Sequence, residues 1–158
     1  MKSKYVILAS ALLISVSNFA QKDQIKAAEK AMKSGNSAEA IASLKQAEAT
    51  IGAATDAEKA QYNFVKGNAL ADLATKKIEV AKNLAAAAKA YQEVMTVEKT
   101  SGKSKYSADA KTALTELKNQ MINAAVDAGT AKNYKAASDL LYQAYELDKT
   151  DMDKLYYA

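Results

Sequence analysis

The 158-residue sequence predicts an all-α fold assembled from helical hairpins. Three observations lead there. The chain is rich in Ala, Lys, Leu, Glu and Gln, the strong helix formers, and it contains no Pro and only five Gly. Small residues recur in triplets at set spacings. Turn and cap signals also divide the chain into helix-sized pieces.

Residues 1–20 stand apart. Lys2 and Lys4 precede an apolar run from Tyr5 to about Ile14, and small or polar residues follow from Ser15 to Ala20. That is the layout of a secretory signal peptide, with cleavage expected after Ala20. The run is short of the roughly 20 residues that span a bilayer, although a short membrane anchor is the alternative. With no Cys, acylation as a lipoprotein is excluded and no disulfide can form. Removing this segment takes away two lysines and no acid, so the net charge falls from +4 to +2. No membrane insertion is expected of the remainder.

The repeat emerges from the turns. Gly35-Asn36-Ser37 and Lys132-Asn133-Tyr134 align, each with Asn as the helix N-cap, and Glu39 adds capping-box spacing to the first. That alignment places Ala28, Ala40 and Ala47 on Ala125, Ala137 and Ala144, with spacings of 12 and 7 in both triplets. Gly67, Ala87 and Val94 form a third, with spacings of 20 and 7. Small side chains at these places let two helices approach more closely than the usual interaxial distance of about 8–10 Å. Larger neighbours such as Tyr134 and Leu141 are expected to fill the space around them. Helices are expected at 22–34, 37–51, 56–74, 83–99, 107–129 and 134–148, with a seventh from 151. Gly35, Gly52, Gly102 and Gly129 fall at helix ends, and Thr55, Ser107 and Thr150 are the expected caps. A plain bundle or coiled coil is the competing fold, but sustained Leu heptads are lacking.

The turn and second-helix sequences GNSAEAI and KNYKAAS, with FVKGNAL on a first helix, resemble the tetratricopeptide repeat family. The resemblance covers most of residues 21–149. It implies a right-handed α-α superhelix of about three hairpins, near 21–52, 56–99 and 107–149, with a fourth beginning at 150–158 and cut short. The sequence departs from the family in lacking its Trp and Pro. Its repeat offsets of 47 and 50 also exceed the family's period of about 34. The excess is assigned to about five residues before the third helix, to Thr75–Lys82, and to a loop at Lys99–Tyr106 followed by a lengthened helix.

The resemblance further implies a concave face lined by first helices, of the kind that binds peptides or protein segments. Aligned onto this chain, that groove would hold Ile25, Glu29, Met32, Phe64, Asn68, Ala71, Ile122 and Val126. Asn68 alone resembles the family's clamp for acidic C-termini, and without the accompanying basic residues it is expected to be a solvated groove residue. Tyr142, Tyr145, Tyr156 and Tyr157 are expected to be half-buried packing residues. Lys76, Lys77 and Lys99 to Lys105 should be solvated loops. Asp148, Asp151 and Asp153 lack the Gly and distal Glu of a calcium loop.

The absences narrow the chemistry. Without His or Cys the commonest general base, thiol nucleophile and transition-metal ligands are missing. Without Arg, nucleic acid is a poor partner. The function expected is a non-catalytic interaction or scaffolding module of a bacterial, Gram-negative-type envelope, periplasmic or secreted, with no cofactor. A component that self-associates through its repeat ends is the alternative, and a carboxylate-based hydrolase a remote one.

Overall fold

The computed structural model describes residues 21–147, and the expectations for residues 1–20, for Asp148 and for the Thr150–Ala158 segment lie outside them. The chain is helical over residues 21–33 (α1), Ser37–Ala47 (α2), Asp56–Thr75 (α3), Val80–Ser101 (α4), Ser107–Thr130 (α5) and Tyr134–Leu147 (α6). A single 3-10 turn, Ile51–Ala53, follows α2, and no strand occurs among the described residues. Packing runs chiefly between consecutive helices, most densely α3 on α4 and α5 on α6, with a lighter contact of α4 on α6. This is the nearest-neighbour pattern of a helical repeat.

The helices stop where local backbone chemistry stops them. Gly35, Lys77, Gly102 and Lys132 all adopt positive φ. At three of these ends the two reverse bonds of a Schellman turn follow, such as Asn36 N to Ala31 O at 2.9 Å and Gly35 N to Met32 O at 3.0 Å. Lys132 occupies the position aligned with Gly35, and the same bonds recur there through Asn133 N and Ala128 O at 2.8 Å. Two glycine expectations are therefore corrected. Gly129 lies inside α5 and Gly52 in the 3-10 turn, neither with positive φ.

The insertion expected at Thr75–Lys82 is also corrected. Only Lys76–Glu79 is non-helical, because Lys77 takes the left-handed position without a glycine and Ile78 N donates to Leu73 O at 3.0 Å. The extra residues lengthen α3 and α4 instead of looping out. At the other starts, Asn36 and Asn133 do cap α2 and α6, accepting from Glu39 N at 3.2 Å and Ala136 N at 3.3 Å. Thr55 and Glu58 make a full capping box for α3.

The core divides into two clusters. One joins Ile25, Ala28, Leu44, Tyr62, Val65 and Ala69 across α1 to α3. The other runs from Leu70 through Leu84, Tyr91, Leu117 and Met121 to Leu140 and Ala144. Eight of the nine triplet positions are buried and Ala137 is half-buried. Tyr134 and Leu141, however, do not fill space beside them. They are 70% and 41% exposed, and it is Leu140 that turns inward at 3%.

The tightest contact is at Gly67. A Cβ built there would stand 2.5 Å from Tyr91 Cε1 and 2.8 Å from Cδ1 and Cζ, so the ring packs directly against the α3 backbone. Gly129, by contrast, has nothing within 4 Å of such a Cβ. Gly67→Ala should therefore cost about 1–3 kcal/mol through overpacking. Gly129→Ala should stabilise by about 0.4–1 kcal/mol, since it relieves only the backbone entropy of glycine. Urea unfolding of both variants checks this, and equal effects of the same sign would contradict the contact.

Candidate functional site

The residues expected to line a groove come from α1, α3 and α5, and side-chain contacts tie α3 to α1 and to the residue that precedes α5. Gln61 Nε2 on α3 donates to Glu29 Oε1 on α1 at 2.7 Å. Phe64 on α3 stacks on Tyr106, the residue preceding α5, with centroids 5.0 Å apart and planes 26° apart. Phe64 also meets Tyr91 of α4 at 6.1 Å and 59°. Neither Gln61 nor Tyr106 was legible as a site residue. Gln61 sits six residues before Gly67, off the small-residue pattern, and Tyr106 looked like the end of a basic loop.

The groove residues divide unequally. Glu29, Met32, Phe64, Asn68, Ala71 and Ile122 are half-buried, and Val126 is 64% exposed. Ile25 is 1% exposed and belongs to the first core cluster, which removes it from the surface. Asn68 is not a simply solvated residue either, because its Oδ1 accepts the Tyr91 hydroxyl at 2.8 Å. Burial, and then the charge of Glu116, push the Tyr91 phenol far above its ordinary range. The hydroxyl thus stays protonated and available as donor at any working pH.

The ionisable groups with strong partners hold helix ends together. Glu98, 4% exposed near the end of α4, accepts from the backbone N–H groups of Lys105, Tyr106 and Ser107 at 2.8–3.1 Å and from Ser107 Oγ at 2.6 Å. This replaces the expected Ser107 cap: α5 starts without a side-chain cap of its own, and a carboxylate from the previous helix binds its free N–H groups. A negative charge there also suits the helix dipole. Burial raises the Glu98 pKa, but the hydrogen bonds from Ser107, Tyr106 and Lys105 outweigh it and hold the group below its ordinary 4.5. No spacing rule within α5 could have found this cap.

A second network joins the first turn to the end of α3. The Ser37 hydroxyl bonds to the Asp72 carboxylate, Lys76 Nζ pairs with Asp72 at 2.6 Å, and Lys76 Nζ donates to Gly35 O at 2.8 Å and Ser37 Oγ at 3.1 Å. Lys76 is thus a bridging residue and not part of a merely solvated loop. The Lys76 ammonium, and then Ser37, lower the Asp72 pKa. Lys105 leans on the Tyr106 ring at 4.8 Å. Tyr145 is half-buried as expected, whereas Tyr142 is 64% exposed.

A shallow cleft of about 330 Å³ opens between the end of α3, the start of α4 and the C-terminal half of α5, with Leu84, Ala74 and Ala124 in its walls. Lys77 and Asp127 pair across it at 3.5 Å. Among the described residues no helix is long and apolar enough to cross a membrane, and no group of three His, Cys, Asp or Glu is placed to hold a metal ion. Compared with known proteins, the chain matches no family model, no curated protein and no solved structure.

The Glu98 cap carries a signed pH dependence. Because its folded pKa is depressed, the stabilisation is complete above the ordinary carboxylate pKa and is lost as pH falls through the folded value. Glu98→Gln removes the charge and turns one acceptor into a donor facing N–H groups, which should cost about 1–3 kcal/mol at pH 7. That gap between wild type and variant should shrink as pH drops below about 4.5. Urea unfolding from pH 7 to pH 3 measures it, and a constant gap would show that the charge is not what caps α5.

Proposed function

We propose that this chain is a non-catalytic interaction module of the tetratricopeptide-like class, exported to a bacterial envelope, where it holds a protein or peptide segment along the row of first helices. The observation that supports this reading most is the alignment of α1, α3 and α5 by Gln61–Glu29 and Phe64–Tyr106. On this reading the strip has an aromatic floor at Phe64, a carboxylate at Glu29 and an aliphatic edge at Ile122 and Val126. A flat strip of mixed polarity suits an extended or helical segment better than a small molecule.

The carboxylates with lowered pKa fit the same reading. Glu58, Asp72 and Glu98 are each engaged at a helix end, a structural role. Export rests on the arrangement of residues 1–20, with its two lysines, apolar run and small residues before Gln21.

The test is capture from envelope extracts on the immobilised mature chain, followed by identification of what is retained. Val126→Asp places a charge on the exposed edge and should reduce retention of the specific partner at least tenfold without shifting the unfolding temperature. Tyr142→Asp, on α6 away from the strip, should leave retention unchanged. Retention that ignores Val126→Asp but is lost with Tyr142→Asp would move the binding surface to the end of the repeat stack. The N-terminal sequence of the purified exported protein should begin within a few residues of Gln21, and an intact Met1 would overturn export.

A further inference from the structure

The cleft at the end of α3 lies where two helices part. α3 packs on α2 and α4, and α5 packs on α4 and α6, but α3 and α5 are not among the closely packed pairs. Ala74, Val80, Leu84 and Ala124 give the gap an apolar base, and its volume of about 330 Å³ falls within the range of small-molecule sites. On its rim Lys77 Nζ and Asp127 Oδ2 stand 3.5 Å apart, both side chains largely exposed. The side-chain amides of Gln120 and Asn123 also line it, and they have no hydrogen-bond partner among the described residues.

The lip that carries Lys77 is held in a strained shape. Lys77 and Glu79 adopt φ of 63° and 39°, a region that costs energy for any residue with a Cβ. Ile78 between them is pinned at both backbone groups. Its N–H donates to Leu73 O at 3.0 Å, and its carbonyl accepts from Asn83 Nδ2 at 2.8 Å. Asn83 is buried, so a core side chain fixes the backbone from which Lys77 reaches Asp127. Strain maintained in this way is characteristic of ligand clamps.

We propose that this cleft binds a free apolar α-amino acid. The ammonium nitrogen and a carboxylate oxygen of such a ligand lie about 3 Å apart, close to the 3.5 Å between Lys77 Nζ and Asp127 Oδ2. Laid antiparallel to that pair, the ligand carboxylate meets Lys77 and its ammonium meets Asp127. Four charges then alternate, and the rim pair stays intact. Gln120 and Asn123 offer amide donors and acceptors to the remaining oxygen and N–H groups. The ligand side chain enters over Leu84 and Ala124. A peptide separates its terminal charges by at least one further residue, and a simple anion or cation answers only one of the two rim charges. The site needs no protein partner, so it stands or falls separately from the groove proposed above.

Nuclear magnetic resonance titration of the purified chain tests this, with leucine, N-acetyl-leucine, leucine amide and glycine as probes. Leucine should shift the backbone signals of Lys77, Leu84 and Ala124 in a saturable way. The other three lack the ammonium, the carboxylate or the side chain, and each should bind at least tenfold more weakly. Lys77→Gln combined with Asp127→Asn should weaken leucine binding at least tenfold while leaving the unfolding temperature unchanged, because an exposed ion pair contributes little to stability. No shift with leucine up to its solubility limit would overturn the proposal. Binding of N-acetyl-leucine or leucine amide as tight as that of leucine, or leucine binding that survives the double substitution, would overturn it as well.

Discussion

The contact between Gly67 and the Tyr91 ring sets the separation of α3 and α4, and most of the molecule is arranged around that separation. A side chain of even one carbon at residue 67 would occupy the ring's space. With glycine there, Tyr91 lies across α3, its hydroxyl reaches Asn68, and its edge meets Phe64, which in turn stacks on Tyr106 at the start of α5. One close approach therefore links three helices. Glycine in mid-helix costs up to about 1 kcal/mol in propensity, a cost that burial of a whole tyrosine at 2% exposure offsets.

An alanine-rich interface buries little apolar area per residue, and the chain compensates by fixing its helix ends from neighbouring helices. Glu98 of α4 caps α5, while Asp72 and Lys76 of α3 hold the turn before α2. Both networks cross from one hairpin to the next. They set where each hairpin sits on its neighbour, while the small residues set how closely. Glu98 contributes to acid sensitivity along with Glu58 and Asp72, because the four donors that meet it favour an ionised carboxylate.

The helical fold was legible because its signals are local. Alanine spacing, Asn36, Thr55 and Asn133 as caps, and Gly35 and Gly102 as terminators all act within a few residues of themselves. What the sequence hid depends on partners far along the chain. Glu98 caps a helix that starts nine residues later, and Asn68 is engaged by a tyrosine on the next helix. Lys77 and Lys132 adopt the left-handed conformation that glycine normally signals, so the α3–α4 turn looked longer than it is. Ile25 aligned as a groove residue but faces α2 and α3, since an alignment of small residues fixes a register without fixing how far each helix turns.

The proposed strip along α1, α3 and α5 requires that the Gly67–Tyr91 approach hold α3 in place. A double-mutant cycle of Gly67→Ala and Tyr91→Leu tests that most directly, with urea unfolding as the readout. If the added methyl is costly because it meets the ring, Gly67→Ala should be at least about 1 kcal/mol less costly in the Tyr91→Leu background than in wild type. Costs that add to within about 0.3–0.5 kcal/mol would mean that the two residues do not interact, and the close approach of α3 and α4 would need another cause.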